Sequence, residues 1–154
     1  MLIIHSLLAL PPVVIGLVLY ILFSNNGILS DYNLLYTVKI MIIAQVILIT
    51  PILITLCKES FDYTYNILKE YLISIRASKL KQTITLIQEC KLNIILNILV
   101  AFGRALSEVG AIIIVGGNIS YLTRTMTTGI VVETSKGDLS MALSLGITLL
   151  LISL

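Results

Sequence analysis

Charged side chains are scarce in this chain: Asp, Glu, Lys and Arg supply 12% of its 154 residues, against roughly 25% in a soluble domain. Hydrophobic residues reach 58% and the mean hydropathy is +1.07. That imbalance excludes a water-soluble globule and makes lipid the solvent. Histidine occurs once, as His5, and the two cysteines, Cys57 and Cys90, stand at no metal-ligand spacing. No metal site or cofactor is expected, and both cysteines read as small apolar residues. No GxxxxGK followed by Ser or Thr is present, so nucleotide hydrolysis is not chemistry of this chain and catalytic residues are not expected. A formal net charge of +2 is too small to point to nucleic acid. The opening "MLIIHSLLALPP" lacks a basic n-region and a small-residue cleavage site, which argues against a removable signal peptide.

What is present is a set of four apolar tracts, at about 2–23, 36–56, 92–117 and 139–154. At about 20 residues per span, the chain holds about four membrane helices and no separate soluble domain. The expected fold class is therefore an all-α integral membrane protein, a single domain over 1–154. Between the second and third tracts, the polar segment 57–91 carries six of the ten basic residues: Lys58, Lys69, Arg76, Lys79, Lys81 and Lys91. The loop 24–35 has none, and 118–138 has Arg124 and Lys136. Positive residues favour the inner side, which assigns 57–91 to the cytoplasm and the other two loops to the exterior of a multi-pass protein of the cell membrane.

Pro11 and Pro12 interrupt the first tract. They either kink one helix or begin a half-helix that runs to Phe23, short of a bilayer and so facing protein or water. Pro51 reads as a kink near the end of the second tract. The last tract stops while still apolar, so the sequence is expected to be a fragment or a shortened product.

The run "AFGRALSEVGAIIIVGGN", residues 101–118, places Arg104 and Glu108 near the middle of an oily tract. As one helix, 92–117 is centred near Arg104. Two central ionised groups cost about 5–7 kcal/mol, and the fourteen Leu, Ile, Val and Phe residues of the tract return roughly 4–8 kcal/mol. Such a helix is marginal alone and needs neighbours over its charged face. At i, i+4 the two charges can pair. They form either a buried interhelical lock or part of a solute path. Gly103, Ser107, Gly110 and Gly117 fall on the adjacent face, a small-residue stripe suited to close helix packing.

Within 57–91, Leu68, Tyr71, Leu72 and Ile75 follow helical spacing, and Leu80, Ile84 and Ile87 continue it after the "RASK" break. Two short amphipathic helices with a bend are expected. Their apolar stripes either lie on the membrane lipid or dock into a partner. The Thr-rich run 123–134 is too short to span and suits an exterior gate helix or an interfacial segment. Ser140, Ser144 and Thr148 recur every four residues, as a hydroxyl-lined path or as hydroxyls bonded back to their own helix. Asp138 is placed to cap that last helix.

The helix pair followed by "AFGRALSEVGAIIIVGGNI", with "LPPVVIGLVLY" at 10–20, "MIIAQVILITPI" at 41–52 and "TRTMTTGIVVETSKGDLSMALSLGI" at 123–147, resembles the permease subunit of ABC importers for tungstate and molybdate, most of all the tungstate branch. The likeness runs in order along nearly the whole chain. It implies the fold of a type I importer permease, with a cytoplasmic coupling-helix pair and one or two further N-terminal helices not represented here. The family's coupling loop begins Glu-Ala-Ala and has a Gly six positions after the Glu. It fits onto Glu70, Tyr71, Leu72 and Arg76, keeping Ala77 and Ser78. Only the acidic residue survives; both alanines and the glycine are replaced.

The resemblance further implies an ABC ATPase subunit docked at 57–91, an extracytoplasmic oxyanion-binding protein and a homodimer. The permease then provides the path, the binding protein the selectivity and the ATPase the work. Two rival classes are a secondary transporter or channel that uses Arg104 and Glu108 as an ion relay, and a membrane scaffold whose 57–91 helices bind a partner.

Overall fold

A computed structural model describes residues 8–154; His5 and the start of the first tract lie outside them. Over the described residues the chain is all-helical. The helices are α1 Pro12–Phe23, α2 Val38–Ser74, α3 Lys79–Glu89, α4 Lys91–Ser107, α5 Gly110–Gly116, α6 Met126–Lys136 and α7 Leu139–Ser153, with a 3-10 turn at Ser30–Tyr32.

α1 begins at the proline pair. Pro11 is extended, and Pro12 takes the first helical position, where its missing N–H removes no intrahelical bond. With 12 residues, α1 is about 18 Å long at 1.5 Å per residue, short of a bilayer. α7, with 15 residues, is short as well. The described helix long and apolar enough to cross a membrane by itself is α2.

α2 corrects the expected boundary at 56/57. It has 37 residues, about 55 Å, and runs from the apolar tract straight into the polar segment. Pro51 lies inside it without ending it. Beyond Pro51 no glycine or proline follows within the helix, and Lys58 and Asp62 pair across one turn at 2.7 Å. A change from apolar to charged side chains alters what surrounds a helix and leaves its backbone preference intact. The stripe Leu68, Tyr71, Leu72 and Ile75 is thus the end of α2 rather than a separate short helix.

The break expected at "RASK" is real. Arg76 adopts φ +48°, its N–H donates to the Ile73 carbonyl at 3.0 Å, and the Ala77 N–H donates to the Leu72 carbonyl at 3.1 Å. These two bonds close a Schellman stop, whose left-handed position is normally glycine. Ser78 then caps α3 by accepting from the Lys81 N–H. α3 and α4 meet at Cys90 with a bend of 58°.

The expected single helix over 92–117 is divided. α4 ends at Ser107, Glu108 is extended at φ −75°, ψ 126°, and a short helix starts at Gly110. The main core joins α1, α2 and α5 through Leu19, Ile40, Met41, Ala44, Ala111, Ile112 and Val115. A second joint ties α2 to α4: Asn97 Nδ2 donates to Ser60 Oγ at 3.0 Å, and the Cys90 thiol points to the Ser60 carbonyl at 3.6 Å. Most other large apolar side chains remain exposed, as on α4 from Leu92 to Phe102. In a bilayer these faces meet lipid tails or further helices.

Candidate translocation and coupling sites

The helix break decides what Arg104 and Glu108 do. Had the helix continued, the pair would share a face. Instead Glu108 leaves the helical register, and its Oε1 accepts from the Ala111 N–H at 3.5 Å, in the first turn of α5. The ion pairs among the described residues are Lys58–Asp62, Arg124–Glu133 and Lys136–Glu133. Arg104 and Glu108 do not pair with each other. They line one small cavity of about 30 Å³, together with Pro12, Gln45, Leu48 and Ile52. That is room for about one water.

Gln45 is the polar residue that sequence reading missed. Its Nε2 donates to the Ala105 carbonyl at 3.2 Å, one of the acceptors left over where α4 ends. The Glu108 N–H reaches the same carbonyl at 3.3 Å. A glutamine amid Ile, Val and Leu in α2 was the available signal, because an amide in an apolar span requires a partner.

The small-residue stripe is taken apart by the same break. Gly110 packs on α1, where an added Cβ would fall 2.7 Å from Val13 Cγ2. Around Gly103 there is open space, and Ser107 is exposed, donating to the Arg104 carbonyl at 2.9 Å. Gly117 ends α5 at φ +67°. The four residues therefore do not form one packing face within the chain.

At the α2–α3 elbow the expected coupling residues stay together. Glu70, Tyr71, Arg76 and Ser78 are exposed and Ala77 is half-buried, whereas Leu72 turns inward at 2% exposure. Tyr71, Arg76, Ser78 and Lys81 border an open groove whose apolar side includes Ile75 and Ile84. Leu80, Ile84 and Ile87 are uncovered on α3.

The run 123–134 contains the start and body of α6. Thr125 and Thr128 form a reciprocal capping box at its first turn, and the fully buried Thr128 hydroxyl also donates to Asn118 Oδ1 at 2.8 Å. Further along, Glu133 is 8% exposed; Arg124 Nη1 at 3.3 Å and Lys136 Nζ at 2.9 Å both donate to its Oε1. The sequence showed these charges at separations of nine and three, without a reason to join them. Asp138 caps α7 as expected, accepting from the Met141 N–H at 3.0 Å. Ser140, Ser144 and Thr148 are exposed on α7. Ser144 donates to the Met141 carbonyl and Thr148 to the Ser144 carbonyl, both at 2.8 Å, so these two hydroxyls bond back to their own helix.

Over the described residues the chain is all-helical, with a Schellman elbow between α2 and α3 and a helix break at Glu108. No protein-family model matches it. It is 40% identical to the tungstate uptake system permease protein of Campylobacter jejuni over 155 aligned residues, covering 99% of this chain and 64% of the relative. It is also 40% identical to the protein of the same name from Peptoclostridium acidaminophilum, covering 98% of this chain and 66% of the relative. A probable anion ABC transporter permease protein of Haloferax volcanii is 35% identical over 91% of this chain and 62% of its own length. The chain thus spans somewhat under two thirds of the length of these relatives. All three relatives carry permease names, and the chain is similar to them along nearly its whole length. Two of them are tungstate uptake permeases by name, in line with the resemblance that the sequence motifs carry.

Proposed function

We propose that this chain is the membrane-spanning permease subunit of an ATP-driven importer for a tetrahedral oxyanion, tungstate or its analogue molybdate. The observation that carries the reading is the 40% identity to two tungstate uptake permeases along 98–99% of the chain. The broken helix beside Arg104 supports it. A dianion crossing the bilayer must exchange its water for donors that hold it only briefly. An unpaired guanidinium and the donor amide of Gln45 beside a helix break suit that use.

In this reading about four spans cross the membrane: α1, the first half of α2, α4 with α5, and α7. The second half of α2 and all of α3 lie in the cytoplasm, and α6 is an exterior gate helix. Glu70, Tyr71, Arg76, Ala77 and Ser78 meet a separate ATPase subunit, with Leu72 holding the elbow rigid from inside. ATP hydrolysis in that subunit moves the elbow, and α2 carries the motion into the membrane as one continuous rod. Gly103, Arg104, Ser107, Glu108 and Gly110 border the path, with Ser140, Ser144 and Thr148 exposed along α7. An extracytoplasmic binding protein delivers the anion, and two copies of the permease enclose the path.

Proteoliposomes holding the chain, the ATPase and the binding protein test this. Tungstate uptake that requires both ATP and the binding protein is the expected result. Uptake driven by a proton or sodium gradient without ATP would assign the chain to the secondary transporters, and an elbow that binds partners without any uptake would make it a scaffold.

A further inference from the structure

We infer that Arg124 forms an oxyanion site at the gate helix, and that Glu133, held by Lys136, is its built-in competitor. The inference rests on reading the chain as an oxyanion permease with α6 on the exterior side. Arg124 and Glu133 border an open cavity of about 370 Å³ into which Ser120, Tyr121 and Thr125 also face. That is ample for a tetrahedral anion with some of its water. Two cations act on a single carboxylate oxygen, so the cluster keeps one net positive charge.

The two contacts are unequal. Lys136 holds Glu133 at 2.9 Å, while Arg124 stands at 3.3 Å. The side chain of Glu133 is 11% exposed and that of Arg124 is 33% exposed. An oxyanion arriving in the cavity meets the more accessible guanidinium, whose planar fork matches two oxygens of a tetrahedron. Arg124 exchanges one carboxylate oxygen for the anion, and Lys136 stays on Glu133. The buried carboxylate is therefore never left without a partner, which removes the main cost of the exchange. Because Glu133 competes for the same guanidinium, the anion is held weakly and can move on. Arg124 touches the anion; Lys136 is a positioning residue that acts through Glu133.

Equilibrium dialysis of the full chain in detergent against tungstate tests the assignment, with sulfate as the comparison anion. Arg124→Gln is expected to weaken tungstate binding about tenfold, the loss of one charge-assisted hydrogen bond. Glu133→Gln is expected to tighten it by a similar factor, and Lys136→Gln to weaken it although Lys136 does not touch the anion. Opposite signs at Arg124 and Glu133 are what a merely structural ion pair cannot give. Should Glu133→Gln not fold, Glu133→Asp shortens the reach to Arg124 and is expected to shift binding the same way. Unchanged binding in Arg124→Gln, or weaker binding in folded Glu133→Gln or Glu133→Asp, overturns the site. Transport by the assembled complex reports separately: wild-type uptake without this binding pattern removes the site alone, and the pattern without ATP-driven uptake removes the importer reading alone.

Discussion

Gly16 and Ala111 bring α1 and α5 together backbone to backbone: a Cβ built on Gly16 would lie 2.8 Å from Ala111 Cα. No rotamer change relieves such a contact, because the obstructing atom is main chain. Gly16→Ala is expected to destabilise the chain by about 1–3 kcal/mol, the usual cost of overpacking. Gly103→Ala, in open space within α4, is expected to gain up to about 1 kcal/mol from helix propensity. Thermal unfolding in detergent compares the two, and equal effects would contradict the close approach.

Arg76 occupies the left-handed position of the α2–α3 stop at φ +48°. By the resemblance drawn from the sequence, this is the position at which the coupling loop of such permeases carries glycine. Arg76→Gly is expected to raise stability by about 1 kcal/mol, whereas Arg76→Ala keeps the strained conformation and gives no such gain. A lower melting temperature for Arg76→Gly would show that the arginine side chain holds the elbow.

Gln45→Leu deletes the bond to the Ala105 carbonyl in an apolar setting. Interhelical hydrogen bonds in membranes contribute about 0.6 kcal/mol on average and up to about 1.7 kcal/mol. A loss in that range on unfolding is expected, with faster amide exchange at Glu108. An unchanged melting temperature would remove Gln45 from the support of the break.

Thr125→Ala removes one half of the capping box that starts α6. The expected loss is about 0.5–2 kcal/mol, read as faster hydrogen exchange confined to the first turn of α6 and its neighbour Asn118. Exchange rising equally through α7 would mean that the cap is not local.

Much of the architecture could be read from the sequence because local physics fixes it. The proline pair opens α1, the "RASK" stop divides α2 from α3, and Asp138 caps α7, each through chemistry contained within a few residues. Other features escaped. The continuity of α2 past residue 56 was hidden because hydropathy reports the surroundings of a helix and not its ends. The break at Glu108 was hidden because "SEVGA" satisfies helical spacing; only packing of Gly110 against Val13 and the Glu108 contact to the Ala111 N–H make the interruption favourable. The Arg124–Glu133–Lys136 cluster depends on where the chain before α6 returns, which no periodicity records.

The most direct test of the proposed path is ATP-driven tungstate uptake in proteoliposomes with ATPase and binding protein, comparing wild type with Arg104→Ala at matched amounts of assembled complex. Uptake by Arg104→Ala is expected to fall to background while the ATPase still co-purifies with the chain. Uptake at the wild-type rate would contradict the account, since the guanidinium beside the helix break would then have no part in moving the anion.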